Sequence, residues 1–154
     1  PTPELIPLLE KTLSLTSKKG EYTIWPYAVA DQEGEKSFCM YDGENGDLKL
    51  SKNSLFEKDG MDKSIIVKTI SLDKFVSDNN IQKIDFIKAD IEGAERYMLM
   101  GAKQVLRDFA PKLALCTYHL PDDPCVMENL ILEANPHYII EHKWSKLYAY
   151  CPEK

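Results

Sequence analysis

Apolar residues recur at helical spacing at the start of the chain. Four leucines fall on one face of a helix predicted over residues 1–17, namely Leu5, Leu8, Leu9 and Leu13. Pro3 suits the first position of that helix. Pro7 removes a backbone donor early in it, so a start at Pro7 is the alternative.

The next part of the chain contains short segments typical of β-strands. Residues 21–30 predict a strand interrupted by Pro26, and residues 35–41 predict a second strand after a turn. Residues 42–62 are polar and rich in Gly, Asn and Lys, which predicts a mobile loop. Residues 64–70 are rich in β-branched side chains and predict a third strand.

The second half alternates short apolar strands with helices. The predicted elements are one helical turn over 72–76, a strand over 84–89, a helix over 94–109, a strand over 112–118, a helix that Asp123 caps and Pro136 ends, and strands over 137–141 and 147–150. This order indicates an α/β fold with a parallel sheet covered on both faces, closed by an antiparallel hairpin. Gly101 inside a helix costs stability relative to alanine, so we expect a close neighbour there.

Composition narrows the classes of function. The chain has 154 residues, which suits one domain, and its net charge of −6 argues against nucleic-acid binding. We expect no membrane segment and no signal peptide, because the sequence has no apolar run of 18 residues. None of the four cysteines forms a CxxC pair, and reduced thiols favour a cytoplasmic protein. The oligomeric state is not indicated.

Ligands of open α/β sheets bind outside the carboxyl ends of the strands. The turn after the strand over 84–89 concentrates charge, with Lys88, Asp90, Glu92 and Glu95. Acids at a helix start are often structural, worth about 0.3–1 kcal/mol each, which accounts for Glu92 and Glu95 better than for Lys88 and Asp90. A divalent metal on these acids is not indicated by the sequence, because no histidine completes the set in this turn.

A second candidate turn leaves the strand over 112–118. Tyr118 and His119 lie there, and His119 should stand in the same row as Asp90 on a neighbouring strand. A lone histidine is usually structural, and this interpretation is preferred for His137 and His142. The position of His119 beside Asp90 instead makes it a candidate general base.

These residues resemble a known family. Residues 84–95, IDFIKADIEGAE, are similar to the signature of FkbM-type methyltransferases. Further similar pieces follow in the order of that family: residues 1–5, residues 28–31 with Gly34, residues 111–123, residues 135–138 and residues 147–149.

The resemblance implies a class I, Rossmann-like methyltransferase fold with a mostly parallel sheet and a terminal antiparallel hairpin. It also implies S-adenosyl-L-methionine as methyl donor and a small-molecule or glycan acceptor, methylated on a hydroxyl. Ala28 and Val29 would lie near the adenine, and Asp90 would face both the methionine end and the acceptor. Asp90 and His119 are then the predicted catalytic residues.

The remaining site residues would orient the acceptor or the neighbouring turns: Lys88, Glu92, Glu95 and Tyr118. The family's first strand with its Asp-x-Gly-rich turn is absent, as is its second strand. We therefore expect residues 1–154 to form a single partial methyltransferase domain missing those two strands. Two alternatives stay open, a non-catalytic fragment or binding remnant of such a domain and a carboxylate-metal hydrolase.

Overall fold

Seven strands and five α-helices occur in the described part of the chain. The structure is a computed structural model that describes residues 2–15, 21–40, 54–55 and 63–152. The helices are α1 (Ile6–Ser14), α2 (Leu72–Asp78), α3 (Glu95–Met100), α4 (Lys103–Asp108) and α5 (Asp123–Ala134). The strands are β1 (Ala28–Val29), β2 (Gly34–Met40), β3 (Lys63–Ile70), β4 (Phe86–Ala89), β5 (Lys112–Cys116), β6 (Ile139–Lys143) and β7 (Lys146–Tyr150).

The first sheet has the order β1-β3-β2, with β3 parallel to β1 and antiparallel to β2. The strand predicted over residues 21–30 is correct only at its end, because β1 pairs with β3 at two positions alone. Before β1, Trp25 instead packs edge-on against Phe75 of α2, with ring centroids 5.2 Å apart. The segment before β1 therefore helps to hold α2.

The second sheet has the order β4-β5-β7-β6, in which β4 and β5 are parallel and the other pairs antiparallel. Both sheets are mixed, so the expectation of one mostly parallel sheet is not confirmed. The α/β class and the antiparallel terminal hairpin of β6 and β7 are confirmed. Trp144 and Ser145 alone join these two strands, and a connection this short leaves them antiparallel.

The core of the second sheet lies between its strands and helices α3, α4 and α5. Its fully buried side chains include Leu106, Leu115, Met127, Ile131 and Leu147. Burying each such side chain stabilises the fold by roughly 1.5–3 kcal/mol. This packing fixes α3 and α5 against the strands, and the candidate site lies at the ends of these elements.

The helix predicted over residues 94–109 is divided into α3 and α4 at Gly101 and Ala102. A Cβ atom on Gly101 would stand 2.3 Å from the carbonyl oxygen of Ala30 and 2.9 Å from Cβ of Ser71. The expected close neighbour is therefore confirmed, and it belongs to the chain leaving β1. Gly101 is the point where the two helices meet the first sheet.

The remaining predictions about elements are met with shifted boundaries. The first helix is shorter than predicted and follows a 3-10 turn over Pro3–Leu5, and Leu8 and Leu9 of α1 are exposed. Helix α2 is longer than the single turn predicted, and the Oγ of Ser71 accepts from the backbone N–H of Lys74 at its start. The loop predicted over residues 42–62 lies outside the described residues, apart from Ser54 and Leu55.

No helix among the described residues has both the length and the apolar character needed to cross a membrane.

Candidate functional site

The turn after β4 is held by the buried carboxylate of Glu95. Glu95 is fully buried, and its two oxygens accept from the backbone N–H groups of Ile91, at 2.7 Å, and Gly93, at 3.0 Å. Glu92 and Gly93 have positive φ values of 58° and 98°. Such a backbone turn is unfavourable for a residue with a side chain, and the bonds to Glu95 fix it in place.

The loop leaving β5 is held by an ion pair that the sequence did not reveal. The carboxylate of Asp123 is buried and accepts from the backbone N–H of Leu120 at 2.8 Å. Arg96 of α3 donates to that same carboxylate at 2.6 Å and to Asp122 at 2.7 Å. Asp123 is thus not the cap predicted for α5, because it is the first helical residue and its side chain binds backward to the loop.

Because β4 and β5 are parallel neighbours, the two turns open at the same edge of the sheet. Nε2 of His119 lies 3.4 Å from Oδ1 of Asp90 and 3.4 Å from Oε1 of Glu95. Its Nδ1 lies 3.8 Å from Oε2 of Glu92. The imidazole side chain is only 4% exposed, while that of Asp90 is 35% exposed. The structure therefore brings together one imidazole and the three predicted carboxylates.

Tyr118 completes the rim of this cluster. Its hydroxyl donates to Oδ1 of Asp90 at 2.9 Å, and its ring lies 4.1 Å from that of His119. Burial opposes ionisation of Asp90, but bonds from Tyr118 and Cys116 and the charge of Lys88 outweigh it, so the pKa of Asp90 is lowered. The same bond to Asp90 raises the pKa of Tyr118. Asp90 is thus ionised and Tyr118 neutral at pH 7.

Lys88 stands at the edge of the cluster. Its Nζ lies 3.8 Å from Oδ2 of Asp90, and its side chain is 60% exposed. This distance exceeds that of a direct hydrogen bond, so Lys88 acts on Asp90 mainly through its charge.

Ala28 and Val29 lie elsewhere, in the first sheet. They pair with Thr69 and Ile70 of β3, and the structure does not bring them into hydrogen-bond contact with the carboxylate cluster. Thr69 lies opposite Ala28, and its hydroxyl is the buried side-chain polar atom without a partner among the described residues. A hydroxyl in that state can bind a polar ligand atom.

Four described residues of the site were not assigned to it by sequence reasoning: Arg96, Asp123, Ser54 and Cys116. Arg96 and Asp123 are 27 positions apart, and Ser54 donates from its hydroxyl to the carbonyl oxygen of Glu92 at 3.0 Å across 38 positions. No local spacing marks such pairs. Cys116 could have been found, because it lies one position beyond the pairing of Ala89 with Leu115 and is therefore opposite Asp90.

A histidine missing from the local sequence pattern of the acids is supplied by the neighbouring turn. Asp90, Glu92 and His119 each offer one ligand atom, and these atoms lie within 4.8 Å of one another. A histidine therefore does complete the carboxylate set. His142 forms a separate pair with Glu128 at 2.7 Å, both about 40% exposed, as suits the structural role preferred for it from the sequence.

The chain is similar in sequence and in fold to known proteins. The Methyltransferase FkbM domain family matches residues 1–149. The fold is similar to the crystal structure of methyltransferase FkbM from Methylobacillus flagellatus KT, with a TM-score of 0.62 and 20% sequence identity. The similarity covers 96% of this chain and 33% of that chain, so this chain spans about a third of its structural neighbour. No curated protein matches the chain significantly. The match over residues 1–149 shows that the chain belongs to the FkbM methyltransferase domain family.

Proposed function

We propose that the chain forms the acceptor side of an S-adenosyl-L-methionine-dependent methyltransferase that methylates a hydroxyl on a sugar, glycan or natural product. The observation that supports this most directly is the convergence of His119 with ionised Asp90 at the ends of two parallel strands, 3.4 Å apart. Membership of the methyltransferase family supplies the class of reaction. The position of both residues at the carboxyl ends of strands is where ligands of open α/β sheets bind.

Methyl transfer to oxygen is an in-line displacement, and it needs the acceptor oxygen about 3–3.5 Å from the methyl carbon. S-adenosyl-L-methionine would supply that methyl group on a positively charged sulfur. The new oxygen–carbon bond forms as the carbon–sulfur bond breaks, and the electron pair of the broken bond stays on sulfur. The hydroxyl proton must leave, and we assign its acceptance to His119 or to Asp90.

The other side chains of the cluster have supporting roles under this proposal. Glu95 is fully buried and holds the turn, so it orients Asp90 and Glu92. Tyr118 donates to Asp90, and its half-exposed ring offers a flat apolar face to an acceptor. Lys88 and Glu92 stand at the rim, where they can hydrogen-bond to acceptor hydroxyl groups.

The fit of the residues to the cofactor is partial. The unpartnered hydroxyl of Thr69 opposite Ala28 is a place where a polar edge of adenine could bind, next to the two small residues assigned to it. Asp90 offers a carboxylate toward the positively charged end. The glycine-rich turn implied by the resemblance does not occur in this sequence.

The proposal is tested by methyl transfer with a panel of glycan and natural-product hydroxyl acceptors, followed as S-adenosylhomocysteine release. Asp90→Asn and His119→Ala are compared with the parent protein. Loss of a general base lowers the turnover rate by about 10²–10⁴-fold, so at least one variant should show such a loss. His142→Ala is the matched control, since His142 also pairs with a carboxylate but lies outside the cluster.

Unchanged rates in both cluster variants would remove the assigned roles. Calorimetric titration with S-adenosyl-L-methionine tests the cofactor separately, and we expect heat of binding. Absence of heat would contradict the proposal and support the alternative, a non-catalytic binding remnant.

A further inference from the structure

We propose that Asp90, Glu92 and His119 form a binding site for a divalent cation of mixed nitrogen and oxygen preference, the class to which Mn²⁺ belongs. The three side chains come from the turns after two adjacent strands, and their ligand atoms lie within 4.8 Å of one another. Binding of the ion does not depend on the proposed function. Only its use in methyl transfer does.

The distances favour a shared ion over direct hydrogen bonds. N–H···O bonds are usually 2.7–3.2 Å long. Among the described residues, no partner of the His119 ring nitrogens lies closer than 3.4 Å. Two ligands on a tetrahedral Zn²⁺ ion with bonds of about 2.1 Å lie about 3.4 Å apart, and neighbouring ligands on an octahedral ion lie about 3 Å apart. The spacing of His119 and Asp90 is therefore suited to an ion between them.

The imidazole is held as metal-binding histidines are. Its side chain is 4% exposed, and both ring nitrogens face carboxylates, Nε2 toward Asp90 and Glu95 and Nδ1 toward Glu92. A metal-binding histidine usually donates its second N–H to a carboxylate or carbonyl group, which fixes the ring and its tautomer. Here the ring lies between carboxylates on both sides, and Glu95, which is not one of the three proposed ligands, is fully buried beside it.

The side chains of the cluster also differ in burial. His119 is buried and Glu95 holds the turn through two backbone N–H groups, so the base of the site is rigid. Asp90 and Glu92 keep 35% and 23% exposure. The same exposure leaves positions on the ion open to solvent or to a ligand oxygen.

Imidazole together with carboxylates suits Mn²⁺ and Zn²⁺ better than Mg²⁺, which prefers oxygen alone. In the proposed reaction, an ion at this place would bind the acceptor hydroxyl, whose proton would pass to water, and would stabilise the negative charge that develops on the oxygen. Asp90 and His119 would then act through the ion. Under "Proposed function", one of these two side chains accepts the proton directly. Methyl transfer measured with a chelator present distinguishes the two mechanisms.

The test is a titration of the chelator-treated protein with Mn²⁺, with free Mn²⁺ measured by electron paramagnetic resonance. We expect saturable binding of one ion per chain. Asp90→Asn, Glu92→Gln and His119→Ala should each weaken binding by about tenfold or more, by comparison with losses of about 10–100-fold at supporting residues of known sites. His142→Ala changes a histidine paired with a carboxylate elsewhere, and it should leave binding unchanged.

His119→Gln is the second variant at the buried position, and circular dichroism verifies that each variant is folded. Binding that does not saturate, or that is equal in folded Asp90→Asn and wild-type protein, would overturn the site. Two results together would support it: Zn²⁺ displaces bound Mn²⁺ from the wild-type protein, and His142→Ala leaves Mn²⁺ binding unchanged.

Methyl transfer measured with and without chelator keeps the two proposals distinguishable. Mn²⁺ binding without any methyl transfer would support the cation site and overturn the proposed function. Methyl transfer at full rate in chelator, without Mn²⁺ binding, would do the opposite.

Discussion

Replacing Gly101 with alanine tests how the second sheet and its helices are joined to the first sheet. The backbone at Gly101, with φ of −90° and ψ of 10°, is one that alanine adopts without strain. The added methyl carbon, however, would lie 2.3 Å from the carbonyl oxygen of Ala30, 2.9 Å from Cβ of Ser71 and 3.2 Å from Cα of Asp31. Two of these neighbours are backbone atoms, which cannot rotate away.

The size of the effect follows from that contact. Carbon and oxygen need about 3.2–3.5 Å, so the helix junction must withdraw by roughly 1 Å. Overpacking of this kind costs about 1–3 kcal/mol. Restricting the unfolded chain returns about 0.4–1 kcal/mol. A contact of 2.3 Å with a backbone atom belongs to the upper part of the overpacking range, about 2–3 kcal/mol, so the net loss of stability is about 1–2.6 kcal/mol, or roughly 2–10 °C in Tm for a chain of this size.

Urea unfolding followed by circular dichroism measures this free energy directly. Lys103→Ala is the control, because Lys103 is exposed two positions away and also becomes alanine. We expect Lys103→Ala to stay within about 0.5 kcal/mol of wild type, as surface substitutions usually do. A Gly101→Ala protein as stable as wild type would refute the close approach of the junction to Ala30.

Three further substitutions test other contacts. Arg96→Met leaves the buried carboxylate of Asp123 without its cation and should lower the free energy of unfolding in urea by about 3–5 kcal/mol. Lys74→Met removes an exposed ion pair and should lower it by less than about 1 kcal/mol, so equal losses would contradict this reason. Burial raises the pKa of Tyr138 above 10.0, so its contribution to stability is present below pH 10 and lost as pH rises. The free energy of unfolding of Tyr138→Phe should therefore fall less than that of wild type between about pH 9 and pH 11. Curves of unfolding free energy against pH that run parallel for the two proteins would refute this. Trp144 has φ of +54° at an exposed turn, and Trp144→Asn should raise the free energy of unfolding by about 0.5–1 kcal/mol. A lower melting temperature for that variant would count against this reason.

Elements with a continuous apolar pattern were predictable from the sequence. The strand predicted over residues 64–70 is β3, which begins one residue earlier, and residues 112–118 contain β5. Each strand buries part of its side chains: Val67, Thr69 and Ile70 in β3, and Leu113, Leu115 and Cys116 in β5. The amphipathic pattern of residues 94–109 likewise marked the faces of α3 and α4 that are buried.

Features that depend on distant contacts were not predictable in detail. The division between α3 and α4 needs the approach of Ala30 to Gly101, and only the presence of a close neighbour could be inferred from the glycine. A strand was predicted over residues 21–30, but only the two residues of β1 pair with β3. Strand formation requires a partner as well as a pattern, and a pattern alone cannot supply it.

The candidate site was partly predictable for a simple reason. Parallel neighbouring strands end at one edge, so Asp90 and His119 were expected in one row, and they lie 3.4 Å apart. The carboxylates of Glu92 and Glu95 followed from their place in the same turn. Arg96, which holds the loop after β5, gave no local sign of its partner 27 positions away.

The hairpin between β6 and β7 offers a built-in optical probe. The carbonyl oxygen of Ser145 accepts from the backbone N–H of Thr117, so the tip lies beside the strand end that leads into His119. Trp144 at this tip is 93% exposed, whereas Trp25, the second tryptophan of the protein, is 46% exposed and packed on Phe75. Quenching by acrylamide will therefore act first on Trp144. A ligand that covers this end of the sheet will shield that indole, and fluorescence will report its arrival without any label.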